Sequence, residues 1–182
     1  MDVIMRSNLI TRLSFFLLAA FVGFLILYLY RFFNSIIPFA FSDPQLWNTH
    51  WMVDQGAEIP TTWRSVFFAM WMVTAIFTSL MGLCAISVVN LIRQGVYFER
   101  RTILGLRYLG GFAALSGLGK IMGGSLEPWV ITRFNTAETQ RDIFFWYSSS
   151  DLGIILIGLS IVLLAWVLSV AVLTDLENKE FV

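Results

Sequence analysis

Apolar residues run in long segments along this chain, separated by polar stretches. Charged residues are absent from Leu13 to Tyr30, from Ser65 to Ile92 and from Leu152 to Thr174. A helix needs about 20 predominantly apolar residues to cross the hydrocarbon core of a bilayer, so each segment predicts a membrane-spanning helix. The predicted helices cover residues 13–33, 65–93 and 152–174.

A fourth helix, the third in chain order, is predicted at residues 103–126, where the pattern is weaker. Only Tyr108 to Gly119 is free of charge, which is roughly 18 Å of helix against a hydrocarbon core of about 30 Å. Arg107 and Lys120 at its two limits must therefore reach toward the membrane surfaces, or the other helices must shield this one. Its many glycines favour shielding, and predict that it is the central, closely packed helix.

Small residues at helical spacing indicate where the helices touch. In the second helix Thr78 and Gly82 belong to such a stripe, and in the third Gly110, Ala114 and Gly117 do. Small side chains allow two backbones to approach closely within a membrane, so these five positions are predicted to mediate helix packing. Ala19 and Gly23 of the first helix have the same spacing, which is also expected by chance in an apolar segment.

Two external loops, 34–64 and 127–151, each join the two helices of one predicted hairpin. Both are rich in tryptophan, and the first can hold a short amphipathic helix from Pro44 to Gln55 lying flat on the membrane. A hinge at 94–102 connects the two hairpins, and a polar tail covers 175–182. The predicted fold is thus an all-α membrane protein in one domain, with four transmembrane helices and two external loops that carry short interfacial helical segments.

The hinge region is the most basic connection in the chain and sets the predicted orientation. Because cytoplasmic loops carry an excess of Lys and Arg, it is placed in the cytoplasm, together with both termini. Gly95 is expected just past the end of the second helix, where a positive φ favours glycine, and Thr102 is expected to start the third. The basic residues are Arg93, Arg100, Arg101 and Arg107.

Composition agrees with a membrane protein and excludes some functions. Hydrophobic residues make up 58% of the 182 residues and charged residues 13%, against about a quarter charged in soluble domains. The formal net charge is zero, so nothing indicates nucleic-acid binding. The single cysteine, Cys84, lies in an apolar segment and reads as a small buried hydrophobe.

The hinge and the tail resemble a known family. The residues concerned are Gly95-Val-Tyr-Phe98, then Leu106-Arg107-Tyr-Leu-Gly110, and the tail Asp175-Leu-Glu-Asn-Lys-Glu-Phe-Val182. They resemble the bacterial four-helix inner-membrane proteins of domain of unknown function 2975, in which a glycine and a phenylalanine of the cytoplasmic loop precede a Leu-Arg motif. The resemblance implies the four-span fold and a bacterial inner-membrane location. It implies no activity.

Few residues point to chemistry. His50 is the one histidine of the chain, whereas a metal or haem site usually needs at least two strong ligands. No phosphate-binding loop, dinucleotide fingerprint or nucleophile elbow occurs. The sequence therefore predicts no catalytic residue, metal or cofactor, and allows for a bound lipid. Lys120 is the candidate intramembrane charge, which could reach the membrane surface, pair with Glu127 or Asp151, or line an ion pathway.

Three functions follow in order of preference. The first is a non-enzymatic accessory, assembly or scaffold subunit that contacts membrane lipids and other membrane-protein subunits. The second is a small transporter or membrane sensor that uses Lys120 and nearby acidic residues, which would require a polar cavity between the helices. The third is a membrane enzyme whose external carboxylates, Asp43, Asp54, Glu58 and Glu127, would have to converge in one pocket.

Overall fold

A computed structural model describes residues 2–36, 60–134 and 148–180 of the chain. These residues form four long α-helices, and a π-helical turn, Phe32–Ile36, extends the first. The part of the chain that the structure describes is therefore all-helical, as predicted. The four helices are α1 (Asp2–Arg31), α2 (Thr61–Arg93), α3 (Arg100–Phe134) and α4 (Ser149–Glu180).

Three of these helices are long and apolar enough to cross a membrane. They contain the segments Arg12–Asn34 in α1, Thr61–Arg93 in α2 and Ser149–Glu177 in α4. The helix α3 is not among them, because glycine contributes little hydropathy and charged residues interrupt its apolar part. The three apolar helices support a membrane protein, while the four-span arrangement in two hairpins stays a prediction.

The helices pack in chain order, and α2 and α3 are the two inner ones. Helix α1 packs against α2, α2 against α3, and α3 against α4. Many of the buried residues at these contacts are alanines, including Ala75, Ala85, Ala113, Ala114 and Ala165. Lipid tails are as apolar as leucine, so close packing of small residues, more than removal of apolar surface from solvent, holds such helices together.

The connection between α2 and α3 is a tight turn at Gly95. This residue has a φ of +80°, and its N–H donates to the carbonyl of Ile92 at 3.0 Å. The N–H of Val96 donates to the carbonyl of Leu91 at 3.0 Å, which completes a Schellman motif and satisfies carbonyls at the end of α2. The helix therefore ends at Arg93, where the sequence placed its end.

Thr102 does not start α3, in contrast to the prediction. The helix begins at Arg100, two residues earlier, so the hinge comprises residues 94–99 and not 94–102. The hydroxyl of Thr102 donates to the carbonyl of Val96 at 2.7 Å, and the side chain is only 1% exposed. Thr102 thus lies within the first turn of α3, and its hydrogen bond ties α3 to the connection at residues 94–99.

The other helix limits differ from the predicted ones. A segment without charged residues marks only the part of a helix that lipid can surround, and the helix itself can extend beyond it. Helix α1 begins at Asp2 instead of residue 13, and α2 begins at Thr61 instead of residue 65, directly after Pro60. Helix α3 continues past residue 126 to Phe134. Helix α4 begins at Ser149 and continues through most of the predicted tail to Glu180, since leucine, glutamate and lysine are good helix formers.

Ser148 caps the N-terminus of α4. Its hydroxyl oxygen accepts a hydrogen bond from the N–H of Asp151 at 3.2 Å, and the hydroxyl donates to the Asp151 carboxylate at 2.8 Å. An N-cap serine satisfies a backbone donor that the helix leaves unpaired, and an acidic side chain in the first turn is favoured by the helix dipole. This pair fixes where α4 begins.

A buried hydrogen bond joins α2 to α3. The hydroxyls of Thr78 and Ser116 lie 2.6 Å apart, and the Thr78 hydroxyl is also 2.9 Å from the carbonyl of Thr74. Thr78 is 3% exposed and Ser116 2% exposed. Hydrogen bonds of this kind between membrane helices stabilise by about 0.6 kcal/mol on average, so this one fixes the register of α2 and α3 more than it holds them together.

Backbone contact between α3 and α4 occurs where Gly110 faces Gly158. A Cβ atom added at Gly110 would overlap the carbonyl oxygen of Gly158, and one added at Gly158 would lie 2.6 Å from the carbonyl oxygen of Gly110. Ala114, one turn of α3 further along, contacts Gly158, and Gly117, two turns further along, contacts Ile155. The small residues of α3 thus bring its backbone into direct contact with that of α4.

Candidate functional site: an apolar cavity between the helices

A cavity of about 480 Å³ lies among the four helices. Its size falls within the range of about 300–1,000 Å³ that is common for ligand pockets. Every lining residue is apolar. The lining residues are Ala20, Phe21 and Phe24 of α1, Met81, Gly82 and Ala85 of α2, Leu109 and Ala113 of α3, and Ile154, Ile157 and Ile161 of α4.

The cavity has a floor of small residues and walls of large ones. Gly82, Ala85 and Ala113 are buried and form the floor, contributed by α2 and α3. Phe24 of α1 is 44% exposed and Ile157 of α4 is 61% exposed, so these two walls reach the outer surface of the bundle. The cavity therefore opens sideways, between α1 and α4, toward the space that lipid or another membrane protein occupies.

Helices α1 and α4, on either side of the opening, are the least covered part of the molecule. In an 18-residue apolar stretch of each helix, 6% of the residues are buried in α1 and 11% in α4, against 33% in α2. This difference follows from the packing order, because α2 and α3 each have two neighbouring helices and α1 and α4 lie at the two ends of the chain of contacts. Most of the side-chain surface of α1 and α4 is thus free to contact something outside this chain.

The small pair of α1 is not used for packing within the described residues. Ala19 is exposed, and a Cβ atom added at Gly23 would meet nothing within 4 Å. Both residues adjoin Ala20 and Phe24, which line the cavity. The close helix approach that this spacing permits is therefore available to a helix from another chain.

Other predicted packing residues lie at contacts between helices. Gly82 lies where α2 meets α1, since a Cβ atom there would be 3.2 Å from a methyl group of Leu25. Gly110, Gly117 and Ala114 lie between α3 and α4, and Thr78 lies between α2 and α3. The structure thus brings Gly82 to the cavity, whereas Gly110, Ala114 and Gly117 are not among the residues that line it.

The charged candidates lie away from the cavity. Lys120 is exposed and is not among the lining residues. The carboxylate of Asp151 accepts a hydrogen bond from Ser148, and no ion pair joins it to Lys120 in the described part of the chain. The side chain of Glu127 lies outside the described residues.

The basic residues around the hinge separate into two groups. Arg93, Arg100 and Arg101 are exposed at one end of the bundle, beside Phe98, which is 65% exposed. Arg107 is half-buried, and its Nη2 donates to the Ser169 hydroxyl of α4 at 2.9 Å. Sequence reasoning did not predict this link, because Ser169 is an ordinary small residue of an apolar helix.

Several candidate residues for chemistry fall outside the described part. His50, Asp43, Asp54, Glu58 and the proposed flat helix from Pro44 to Gln55 belong to residues 37–59, so they stay untested. Cys84 lies half-buried on α2 as a free thiol. Among the described residues no three His, Cys, Asp or Glu side chains are grouped as metal ligands would be.

The sequence does not reveal the cavity walls. Phe21, Phe24 and Ile157 are ordinary apolar residues of spanning helices, and nothing in their spacing distinguishes them from residues that face lipid. Their role depends on how α1 and α4 are placed on either side of α2 and α3. No protein-family model, curated protein or solved structure matches this chain.

Proposed function

We propose that this protein is a non-enzymatic subunit of a larger membrane complex, and that it receives a transmembrane helix of a partner protein between α1 and α4. The observation that carries this proposal is the wholly apolar cavity that opens between the two least covered helices. Its floor of Gly82, Ala85 and Ala113 permits the close backbone approach on which helix association in membranes depends. Such a subunit acts as an accessory, assembly or scaffold protein.

The apolar lining also favours this function over ion-coupled transport. A transport pathway needs polar or charged groups along it, and such groups within a membrane are usually functional. The cavity has no polar side chain in its lining, and Lys120 is exposed elsewhere on α3. A helix with an apolar surface fits the cavity better than a polar solute does.

Photo-crosslinking from α4 tests the proposal with a matched control. Ile157 and Leu163 are each 61% exposed on α4, but only Ile157 lines the cavity. A photoreactive amino acid at residue 157, activated in native membranes, is expected to yield one discrete protein adduct, whereas the same probe at residue 163 is expected to yield lipid adducts. Adding Ala85→Leu, which fills the cavity floor, should reduce the adduct at 157 about tenfold or more.

Either of two results would contradict the proposal. Lipid adducts alone at residue 157 would mean that the cavity is filled by acyl chains. Equal protein adducts at 157 and 163 would mean that α4 contacts its surroundings without using the cavity. The thermal stability of Ala85→Leu in detergent serves as the control for folding.

We further propose that the chain is a multi-pass protein of the bacterial inner membrane, with both termini in the cytoplasm, and that it belongs with the domain of unknown function 2975 proteins. The arginines beside residues 94–99 support the orientation through the excess of basic residues in cytoplasmic loops. The turn at Gly95 and the Leu-Arg motif at 106–107 support the family.

Reporter fusions test the orientation. An enzyme that is active only outside the cytoplasm is fused after Glu99, between α2 and α3, or after Pro60, at the opposite end of α2. We expect high activity from the Pro60 fusion and little from the Glu99 fusion, because the basic end of the bundle stays inside. The reverse pattern would overturn the orientation, and high activity from both fusions would mean that α2 does not cross the membrane.

A further inference from the structure

Arg107 is a cation held between two helices. It lies seven residues into α3, which is about 10 Å along the axis from Arg100 at the helix start. Its Nη2 donates to the Ser169 hydroxyl at 2.9 Å, and that hydroxyl donates its own proton to the carbonyl of Trp166 at 2.7 Å. Ser169 lies five residues before Thr174, the last residue of the charge-free part of α4, so the guanidinium lies just inside the end of a spanning segment, about 8 Å from it.

The charge of Arg107 is unbalanced within the described part of the chain. A guanidinium has five N–H donors and no acceptor, and the hydrogen bond to Ser169 uses one of them. Ser169 is neutral, and no described carboxylate forms an ion pair with Arg107. A charged side chain at membrane depth is costly and usually finds a counter-charge, so this position favours an anion supplied from outside the chain.

The surroundings of Arg107 leave room for such an anion and its apolar attachment. One turn deeper on the same face of α3, a Cβ atom added at Gly111 would meet nothing within 4 Å. Tyr108 of α3 and Trp166 of α4 are each 58% exposed beside the arginine. Aromatic rings of this kind settle at the level of lipid headgroups, and Arg100, two turns earlier on α3, adds a second positive charge toward the surface.

We propose that Arg107, positioned by Ser169, binds the phosphate of an anionic phospholipid in the leaflet on the side of residues 94–99. The planar guanidinium suits bidentate phosphate contacts, and basic pockets between membrane helices are common sites for anionic headgroups. The acyl chain runs along α3 past Gly111. None of these residues lines the cavity, so the site is independent of the partner helix and of the orientation of the protein.

A lipid is a better occupant than a free phosphate ion because of the residues around Arg107. Leu104, which is 37% exposed, and the exposed rings of Tyr108 and Trp166 add apolar surface near the guanidinium. A free anion would have to leave water to reach Arg107. A headgroup phosphate already lies at the membrane surface next to this position, with its chains in the hydrocarbon core.

Native mass spectrometry of the delipidated full-length protein tests the site. The protein is titrated in nonionic detergent with dioleoyl phosphatidylglycerol, with dioleoyl phosphatidylcholine of the same chains, and with inorganic phosphate. We expect tighter binding of phosphatidylglycerol, and expect Arg107→Gln to weaken that binding about tenfold, to the level of phosphatidylcholine. Arg93→Gln is the matched control, since it removes one exposed arginine from the same end of the bundle and should retain the preference.

Two further variants keep the test decisive if Arg107→Gln does not fold. Arg107→Lys preserves the charge but not the planar fork, and Ser169→Ala preserves the arginine but removes its hydrogen-bond acceptor. Each should weaken phosphatidylglycerol binding by about two- to fivefold while leaving phosphatidylcholine binding unchanged. Such selective loss is a result that a purely structural role of Arg107 would not produce.

Three outcomes would overturn the proposal. An unchanged preference in all three site variants would leave Arg107 as a packing residue only. An equal loss in Arg93→Gln would indicate diffuse attraction to the basic end of the bundle. Displacement of phosphatidylglycerol by inorganic phosphate at low millimolar concentration would indicate a site for the free ion.

Discussion

Gly110→Ala is expected to lower the free energy of unfolding by about 2 kcal/mol, whereas Gly111→Ala is expected to leave it unchanged or raise it by up to about 1 kcal/mol. A methyl group at residue 110 meets the carbonyl oxygen of Gly158 and the N–H of Val162, while one at residue 111 meets open space. Backbone atoms cannot relieve an overlap by a change of rotamer, as a side chain can, so α3 and α4 must move apart. Reversible unfolding in mixed micelles, followed by circular dichroism, measures both values.

Gly158→Ala provides the reciprocal test from α4. Its methyl group would lie 2.6 Å from the carbonyl oxygen of Gly110 and 2.7 Å from the N–H nitrogen of Ala114. The same loss of stability is expected, and the double variant should cost less than the sum of the two, since one separation of the helices relieves both overlaps. Equal stability of Gly110→Ala and Gly111→Ala would contradict the close backbone contact between α3 and α4 at Gly110.

The apolar segments could be predicted from the sequence because the bilayer imposes a length on them. The segments found in α1, α2 and α4 include the three charge-free segments, and the end of α2 at Arg93 follows from the glycine two residues later. The outer limits of the helices were harder to predict from the sequence. Hydropathy reports where lipid can surround a helix, but hydrogen bonding continues beyond, as α4 does through Asp175 and Glu177.

The candidate site was harder to predict, because it depends on how the helices are placed against one another. Small residues such as Gly82 and Ala113 can be recognised as contact positions from the sequence. Their spacing does not show which neighbouring helix each of them contacts. The hydrogen bond from Arg107 to Ser169 joins residues that are 62 positions apart. A charged residue in an apolar segment signals that a partner exists, and only the fold identifies it.

Helix α4 separates two surfaces for which we propose different occupants. Ile157 and Ile161 line the cavity, Gly158 contacts α3, and Ser169 holds Arg107. The cavity is apolar and has a floor that suits a helix, whereas Arg107 carries a positive charge that suits a phosphate. The proposed subunit would bind a partner helix at one side of α4 and a lipid headgroup at the other.

Phe67→Ala is expected to lower the free energy of unfolding by about 2 kcal/mol, and Phe16→Ala by less than about 0.5 kcal/mol. Phe67 of α2 is 1% exposed, whereas Phe16 of α1 is 72% exposed. Unfolding within a micelle transfers either ring to an apolar environment, so the transfer part of the cost largely cancels and the cavity left at residue 67 remains. Thermal unfolding of the purified protein in detergent compares the two. Equal losses of stability would mean that packing inside the bundle stabilises the folded protein no more than contact with lipid or detergent does.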